Sequence, residues 1–332
     1  MISTAMPEAP THPRPIRGAA DAARPGHAER LALAERLGAT LAELVGDPPA
    51  FAAALRTAFA ELAEPGYRAG QQRVAPGIGL THGVRLPYQA ALRRALRKAT
   101  RNDPASVLIL LADRLIGEPE LEARWLALSI LERTVITDPE RSWQLLRRAA
   151  RDASDWITVD TLAHPCGKGV LREHYRWAEL EQLTISPSRW ERRLVGSTIA
   201  TIPFVDRTAG RAPGVAAQAL PLLGLLMGDR EPDVQKALAW AYRSLTLVDA
   251  PATTAALDAE TTIAADAADG NRAWVIRDAL AKLAPADATR LRARLDGIRR
   301  RPGGPSTSPA AELAERFAGM GLGRAMPEPP LT

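Results

Sequence analysis

The chain has 332 residues, enough for one large domain or two small ones, and an ordinary apolar content that can build a real core. Lys and Arg outnumber Asp and Glu by 43 to 38, nearly all the positive charge is arginine, and the pI near 9.8 permits a polyanionic partner without requiring one. A single cysteine, Cys166, excludes an intramolecular disulfide and fits a reducing cytoplasm, and no apolar run has the length of a membrane span.

Residues 1–26 carry Pro7, Pro10, Pro13, Pro15 and Pro25 and read as a flexible N-terminal arm, without the apolar stretch of a signal peptide. From 27 to 300 the pattern is helical almost throughout. Alanine, leucine and arginine dominate, a mixture with strong helix propensity and poor strand propensity. Apolar residues recur at helical spacing, as in Leu31, Leu33, Leu37, Leu41 and Leu44. Breaks fall at Asp47-Pro48-Pro49, Asn102-Asp103-Pro104, Gly117-Glu118-Pro119, Asp138-Pro139, Ser186-Pro187 and Asp229-Arg230-Glu231-Pro232. An Asp or Ser shortly before a helix, with Pro in its first turn, is the expected start signal. Units of roughly a dozen to twenty residues between such breaks predict an all-α fold, an α-solenoid of HEAT-like antiparallel helix pairs. An irregular helical bundle is the alternative. Residues 301–332 read as a linker, Pro302 to Pro309, and a C-terminal tail in which Leu313, Phe317 and Met320 could line a short amphipathic helix.

Four segments carry candidate chemistry. Trp156 and Asp160 sit four residues apart, which on a helix puts an indole and a carboxylate on one face. Such a pair can meet a cationic sugar centre, although spacing alone leaves core packing as the commoner alternative. In Ser188-Arg189-Trp190-Glu191-Arg192-Arg193, Ser188 is placed to cap a helix with Glu191 at the capping-box position, and Arg193 could bind a phosphate bidentately. The competing reading there is a solvated basic turn. Lys236, Trp240 and Arg243 share one helical stripe, suited to a groove that meets a polyanion or to a core tryptophan flanked by snorkelling cations. The run from Gly83 to Arg101 carries Arg85, Arg93, Arg94, Arg97, Lys98 and Arg101 with no acidic residue, an electrostatic footprint for nucleic acid or a solvated helix. Cys166-Gly167-Lys168-Gly169 lacks the pattern of a phosphate loop, and no partner is in place to orient His164 and Cys166 as a thiol enzyme. His82, His164 and His174 lack metal-ligand spacing, so neither metal nor cofactor is expected.

Taken together, these segments resemble the AlkD family of bacterial DNA alkylation-repair glycosylases over roughly residues 60–285. The similarity lies in Gly83-Val84-Arg85-Leu86-Pro87, in the acidic-Pro helix start at Glu118-Pro119 with the alanine-rich helix after it, and in Trp156, Val159 and Asp160. Trp190 with Arg193, and Gln235 to Trp240, complete it in the same order. The resemblance implies a C-shaped helical stack whose concave basic face holds duplex DNA. It implies excision of N3- and N7-alkylated purines by hydrolysis of the N-glycosidic bond, without base flipping. By position, Asp160 becomes the catalytic carboxylate, Trp156 and Trp240 contact the lesion's deoxyribose, and Arg193 holds a backbone phosphate. Lys236, Arg243 and Arg85 are further DNA-contacting candidates, Arg85 standing where some members have Gln. The expected protein is a cytoplasmic, nucleoid-associated monomer acting on double-stranded DNA that contains alkylated purines. The alternative is a non-catalytic HEAT-like protein that binds bent or branched DNA.

Overall fold

In the computed structural model the described residues are 26–75 and 77–319, so the expected arm over 1–26 lies outside them except for Gly26. Proline and aspartate set many of the helix starts. After α1 (His27–Leu41), α2 (Pro48–Leu62) opens on proline, with the Asp47 carboxylate accepting the Ala50 N–H at 3.1 Å. Next come α3 (Pro65–Val74), α4 (Leu86–Ala99), α5 (Ala105–Ile116) and α6 (Leu121–Thr137). The middle of the chain forms α7 (Pro139–Asp152), α8 (Trp156–Arg172), α9 (Arg176–Thr184) and α10 (Arg189–Val205). Then follow α11 (Pro213–Leu226), α12 (Pro232–Leu245), α13 (Ala250–Asp266), α14 (Gly270–Ala279), α15 (Pro285–Arg294) and α16 (Pro309–Gly319). Every break anticipated from the sequence falls at a junction between two of these helices.

The helices stack as two layers. In the front layer α4, α6, α8, α10, α12 and α14 lie side by side; in the back layer α5 meets α7, and α9, α11, α13 and α15 follow one another. The all-α solenoid expected from the break spacing is therefore the architecture found, and the only strand-like pairings among the described residues are two isolated bridges, Ala63 with Val84 and Leu80 with Glu120. Apolar side chains from both layers fill one continuous core.

One buried carboxylate shapes the entry to the front layer. Glu122 on α6 accepts backbone N–H bonds from His82, Gly83 and Val84 at 3.1, 2.9 and 3.2 Å, and a hydroxyl bond from Thr81 at 2.7 Å. The irregular backbone leading into α4 thereby has its donors satisfied by a single side chain.

One expectation needs correction. Ser188 makes no side-chain cap to α10; instead Ser186 donates its hydroxyl to Glu191 and accepts the Ser188 N–H at 3.0 Å. Ser186 takes the job because it lies in the turn, within reach of both groups. In the tail, α16 docks on α11 through Ala310, Ala311 and Ala314, while Leu313 and Phe317 are only half-buried and Met320 lies outside the described residues. Small side chains allow the closer approach.

Tight approach also defines the centre of the front layer. α10 packs most extensively on α8 and α12, and a Cβ added at Gly196 would lie 2.9 Å from the Ala237 carbonyl carbon on α12. Gly196→Ala should therefore separate these two helices and cost about 1–3 kcal/mol, read as a lowered urea midpoint.

Cys166 is buried on α8, where burial pushes its thiol up to about 12 against the weaker opposing pull of Arg147 and Arg176. Burial likewise raises the Tyr242 phenol. Because the folded value of the thiol lies above its unfolded one, this contribution to stability is complete below about pH 9 and is lost as pH rises towards the folded value. Unfolding free energy should fall as pH rises above about 9, with the Cys166 thiol unreactive to thiol reagents until the chain unfolds.

Candidate functional site

The site is built on the first turns of consecutive front helices. α8 starts where the buried Asp155 carboxylate accepts the Thr158 N–H at 2.8 Å and the Thr158 hydroxyl at 2.6 Å. That cap fixes the first turn, so Trp156 opens the helix and Asp160 follows one turn later. Trp156 is half-buried, packed with Ile157 on a small cluster of Ala75, Ile78, Leu121 and Trp125. It is therefore not the fully sunken core tryptophan of the alternative reading.

Asp160 is held from the neighbouring helix. Arg193 on α10 donates Nε to Oδ1 at 3.1 Å and Nη2 to Oδ2 at 2.8 Å, a bidentate pair. Its Nη1 donates to the Asp233 carbonyl on α12 at 2.6 Å, and Ser197 donates its hydroxyl to Asp160 Oδ1 at 2.6 Å. The Arg193 side chain is 2% exposed and that of Asp160 22%. The carboxylate thus reaches solvent while its orientation is set from beneath. As found, Arg193 is engaged with protein groups and is not open at the surface.

The reading of 188–193 as a solvated basic turn is overturned. Arg192 is buried as well, donating Nε to Asp229 Oδ2 at 2.7 Å and Nη1 to the Ser186 carbonyl at 2.7 Å. Asp229, also buried, turns its other oxygen to the Glu231 N–H at 2.9 Å just before α12. Consecutive arginines therefore tie α10 to both neighbouring front helices.

The remaining candidates divide. On α12, Lys236 is partly exposed and forms no ion pair among the described residues, and Trp240 is half-buried against the core. Arg243, on the same stripe, is tied to the Asp278 side chain and donates to its carbonyl at 3.1 Å. Arg85, just before α4, donates Nε to Glu64 at 2.7 Å and lies 4.8 Å from the centre of the Tyr67 ring. Arg85 and Arg243 thus have protein partners that the sequence stripe did not reveal. On and after α4, Arg97, Lys98 and Arg101 are exposed, whereas Arg93 is half-buried and desolvation holds its pKa below the usual arginine range despite Glu132.

The seven tryptophans sort by depth. Trp125, Trp143 and Trp177 are buried, while Trp156, Trp190, Trp240 and Trp274 are half-buried, one on each of α8, α10, α12 and α14. Sequence reasoning alone misses Ser197, Asp229 and the Asp233 carbonyl. Of these, Ser197 had a signal, standing one helical turn after Arg193.

Among the described residues no group of three or more His, Cys, Asp and Glu side chains could hold a metal, and no helix is long and apolar enough to cross a membrane.

This geometry sets an order of stability effects. Asp160→Ala leaves the buried Arg193 cation without its carboxylate and should cost about 3 kcal/mol. Ser197→Ala removes one hydrogen bond and should cost about 1 kcal/mol. Urea unfolding of the two variants checks that ranking; equal losses would mean that Arg193 does not depend on Asp160.

No curated protein matches the chain. The family profile described as DNA alkylation repair enzyme matches residues 55–283, a span that contains Arg85, Trp156, Asp160, Arg193, Lys236, Trp240 and Arg243. The chain therefore belongs to the DNA alkylation repair enzyme family, with a role in the repair of alkylation damage to DNA.

Proposed function

We propose that the protein is a DNA glycosylase that hydrolyses the N-glycosidic bond of N3- and N7-alkylated purines in duplex DNA while the base stays stacked. In this reading residues 27–300 form a HEAT-like glycosylase domain whose concave, basic front layer meets the duplex. The protein acts as a monomer in the cytoplasm, with no metal or cofactor. The observation that carries the reading is the Asp160 carboxylate, fixed by Arg193 and Ser197 yet partly open to solvent beside the half-buried Trp156.

The chemistry suits so sparse a site. Alkylation at N3 or N7 makes the purine cationic and a good leaving group. Bond cleavage leaves an oxocarbenium-like sugar, so positioning and charge stabilisation matter more than protonation of the base. Asp160 stabilises that cation and orients the attacking water. Trp156 and Trp240 lay their ring faces against the deoxyribose, where a cation is attracted. Arg193 is a positioning residue for Asp160. A backbone phosphate would reach its two remaining N–H bonds only if this buried side chain became exposed on binding. Lys236 supplies a further cation on α12 without an ion pair among the described residues, while Arg85 and Arg243 reach phosphate only by sharing or exchanging their carboxylates.

The test is release of 7-methylguanine and 3-methyladenine from methylated duplex DNA. Asp160→Asn should slow release by on the order of a hundredfold, the usual effect of losing one electrostatic partner of a transition state. Its stability is measured alongside, so that lost folding is separated from lost chemistry. Equal rates for the two proteins would make Asp160 a structural ion-pair partner. DNA binding with no release from any alkylated substrate would assign the chain to the non-catalytic class.

A further inference from the structure

Beyond the residues that the family profile matches, the chain from Arg299 to Ser308 lies back across the first turns of α12 and α14. It is firmly anchored. Thr307 donates its N–H and its hydroxyl to Asp269 at 2.9 and 2.7 Å, and the buried Arg272 donates to the Thr307 carbonyl at 3.0 Å. Ser306 and Ser308 donate their hydroxyls to the Gly228 and Leu225 carbonyls at 2.7 and 3.1 Å. The strap passes so close to the start of α14 that a Cβ at Gly270 would lie 2.2 Å from the Arg299 carbonyl oxygen.

What the strap delivers is charge. Arg300 lies 5.5 Å from the centre of the Trp274 ring and donates Nη1 to Gln235 at 2.7 Å. Gln235 is buried and directly precedes Lys236 on α12. Arg299 and Arg301 are exposed. The carboxylate nearest Arg299 is that of the exposed Asp296, 3.8 Å away, and the Arg301 side chain has no hydrogen bond or ion pair among the described residues. Arg277 on α14 is held below the usual arginine range first by burial, then by the charges of Arg299 and Arg292, against the opposing charge of Asp296. An arginine stacked on an indole and bonded to a buried amide is ordered before any ligand arrives, which lowers the entropic cost of using it.

We propose that this strap is part of the DNA-binding surface, with Arg299, Arg300 and Arg301 meeting duplex phosphates on the α14 side of Lys236 and Trp240. The inference rests on the front layer being the DNA face. Arg300 is continuous with that layer through Gln235 and Trp274. Phosphate, repeated along a backbone, is the anion that three successive guanidinium groups can take up together.

The experiment measures binding of an unmodified duplex across a series of NaCl concentrations. Wild type is compared with the triple variant Arg299→Ala, Arg300→Ala, Arg301→Ala, and with Arg141→Ala on α7 as a control. The triple variant should bind more weakly, with a log Kd against log salt slope shallower by about 2 to 3, at close to one unit for each phosphate no longer neutralised. Arg141→Ala should keep the wild-type slope. Should the triple variant fold poorly, Arg301→Ala alone, at a side chain without partners among the described residues, should flatten the slope by about 1. A wild-type slope in these strap variants overturns the strap proposal and leaves the DNA reading standing. A wild type that binds no duplex even at low salt overturns both.

Discussion

A single buried guanidinium joins three helices at the centre of this protein. Arg193 on α10 holds the Asp160 carboxylate on α8 and the Asp233 carbonyl on α12, so one side chain sets the mutual position of three consecutive front helices. Its burial makes the arrangement cooperative. A desolvated cation is tolerable only when its carboxylate and carbonyl partners are in place, and they are in place only when the helices are stacked. Gly196, one turn beyond on the face towards α12, removes the side chain that would hold α10 and α12 apart. Close approach and ion pair therefore depend on each other.

For the proposed glycosylase reaction the pairing has a consequence that magnitudes can decide. Arg193 offsets part of the charge that Asp160 would offer to a cationic sugar. Near a protein surface two unit charges about 4 Å apart interact by about 4 kcal/mol, and by about half that at twice the distance. A cation against the exposed side of Asp160 lies closer to the carboxylate than to the guanidinium behind it, so a net attraction of about 2 kcal/mol survives. In exchange, the carboxylate is held in one orientation by Arg193 and Ser197 and need not reorganise as charge develops. A carboxylate alone at the surface would carry more charge and less order.

Much of the helical framework is legible in the sequence because its determinants are local. Asp47 caps the turn beside it, and Pro48, Pro139 and Pro232 start helices in which their missing N–H is no loss. The i, i+4 relation of Trp156 to Asp160 is local too, and the fold keeps both at the start of one helix. Other features depend on residues far apart in the chain. Arg243 pairs with Asp278, 35 residues on, and Arg85 with Glu64, 21 residues back, so no stripe on a single helix could show that their charges are already partnered. The burial of Arg192 is hidden for the same reason, since Asp229 reaches it from the turn before α12. Ser197 lies between these cases: its spacing from Arg193 is local, but its target on α8 is not.

The position of the site along the helices follows from how the front layer stacks. Contacts from Arg193 to Asp160 and Asp233, and from Gln235 to Asn271 at 3.1 Å, join early turns of α8, α10, α12 and α14 to one another. The N-terminal ends of these four helices therefore lie along one edge. Each contributes roughly half a positive charge at that end, an effect worth about 0.3–1 kcal/mol for a nearby anion at the surface. The same edge carries the half-buried Trp156 and Trp190 at their helix starts, together with Lys236. Negative charge brought to this edge is favoured by backbone dipoles as well as side chains. Asp160, a partly exposed carboxylate among these groups, lies in the second turn of α8, beyond most of the dipole's reach, and is held by Arg193 and Ser197. A surface attractive to a polyanion can thus keep a fixed anion within it, the buried arginine offsetting part of that anion's repulsion of the backbone it would have to approach.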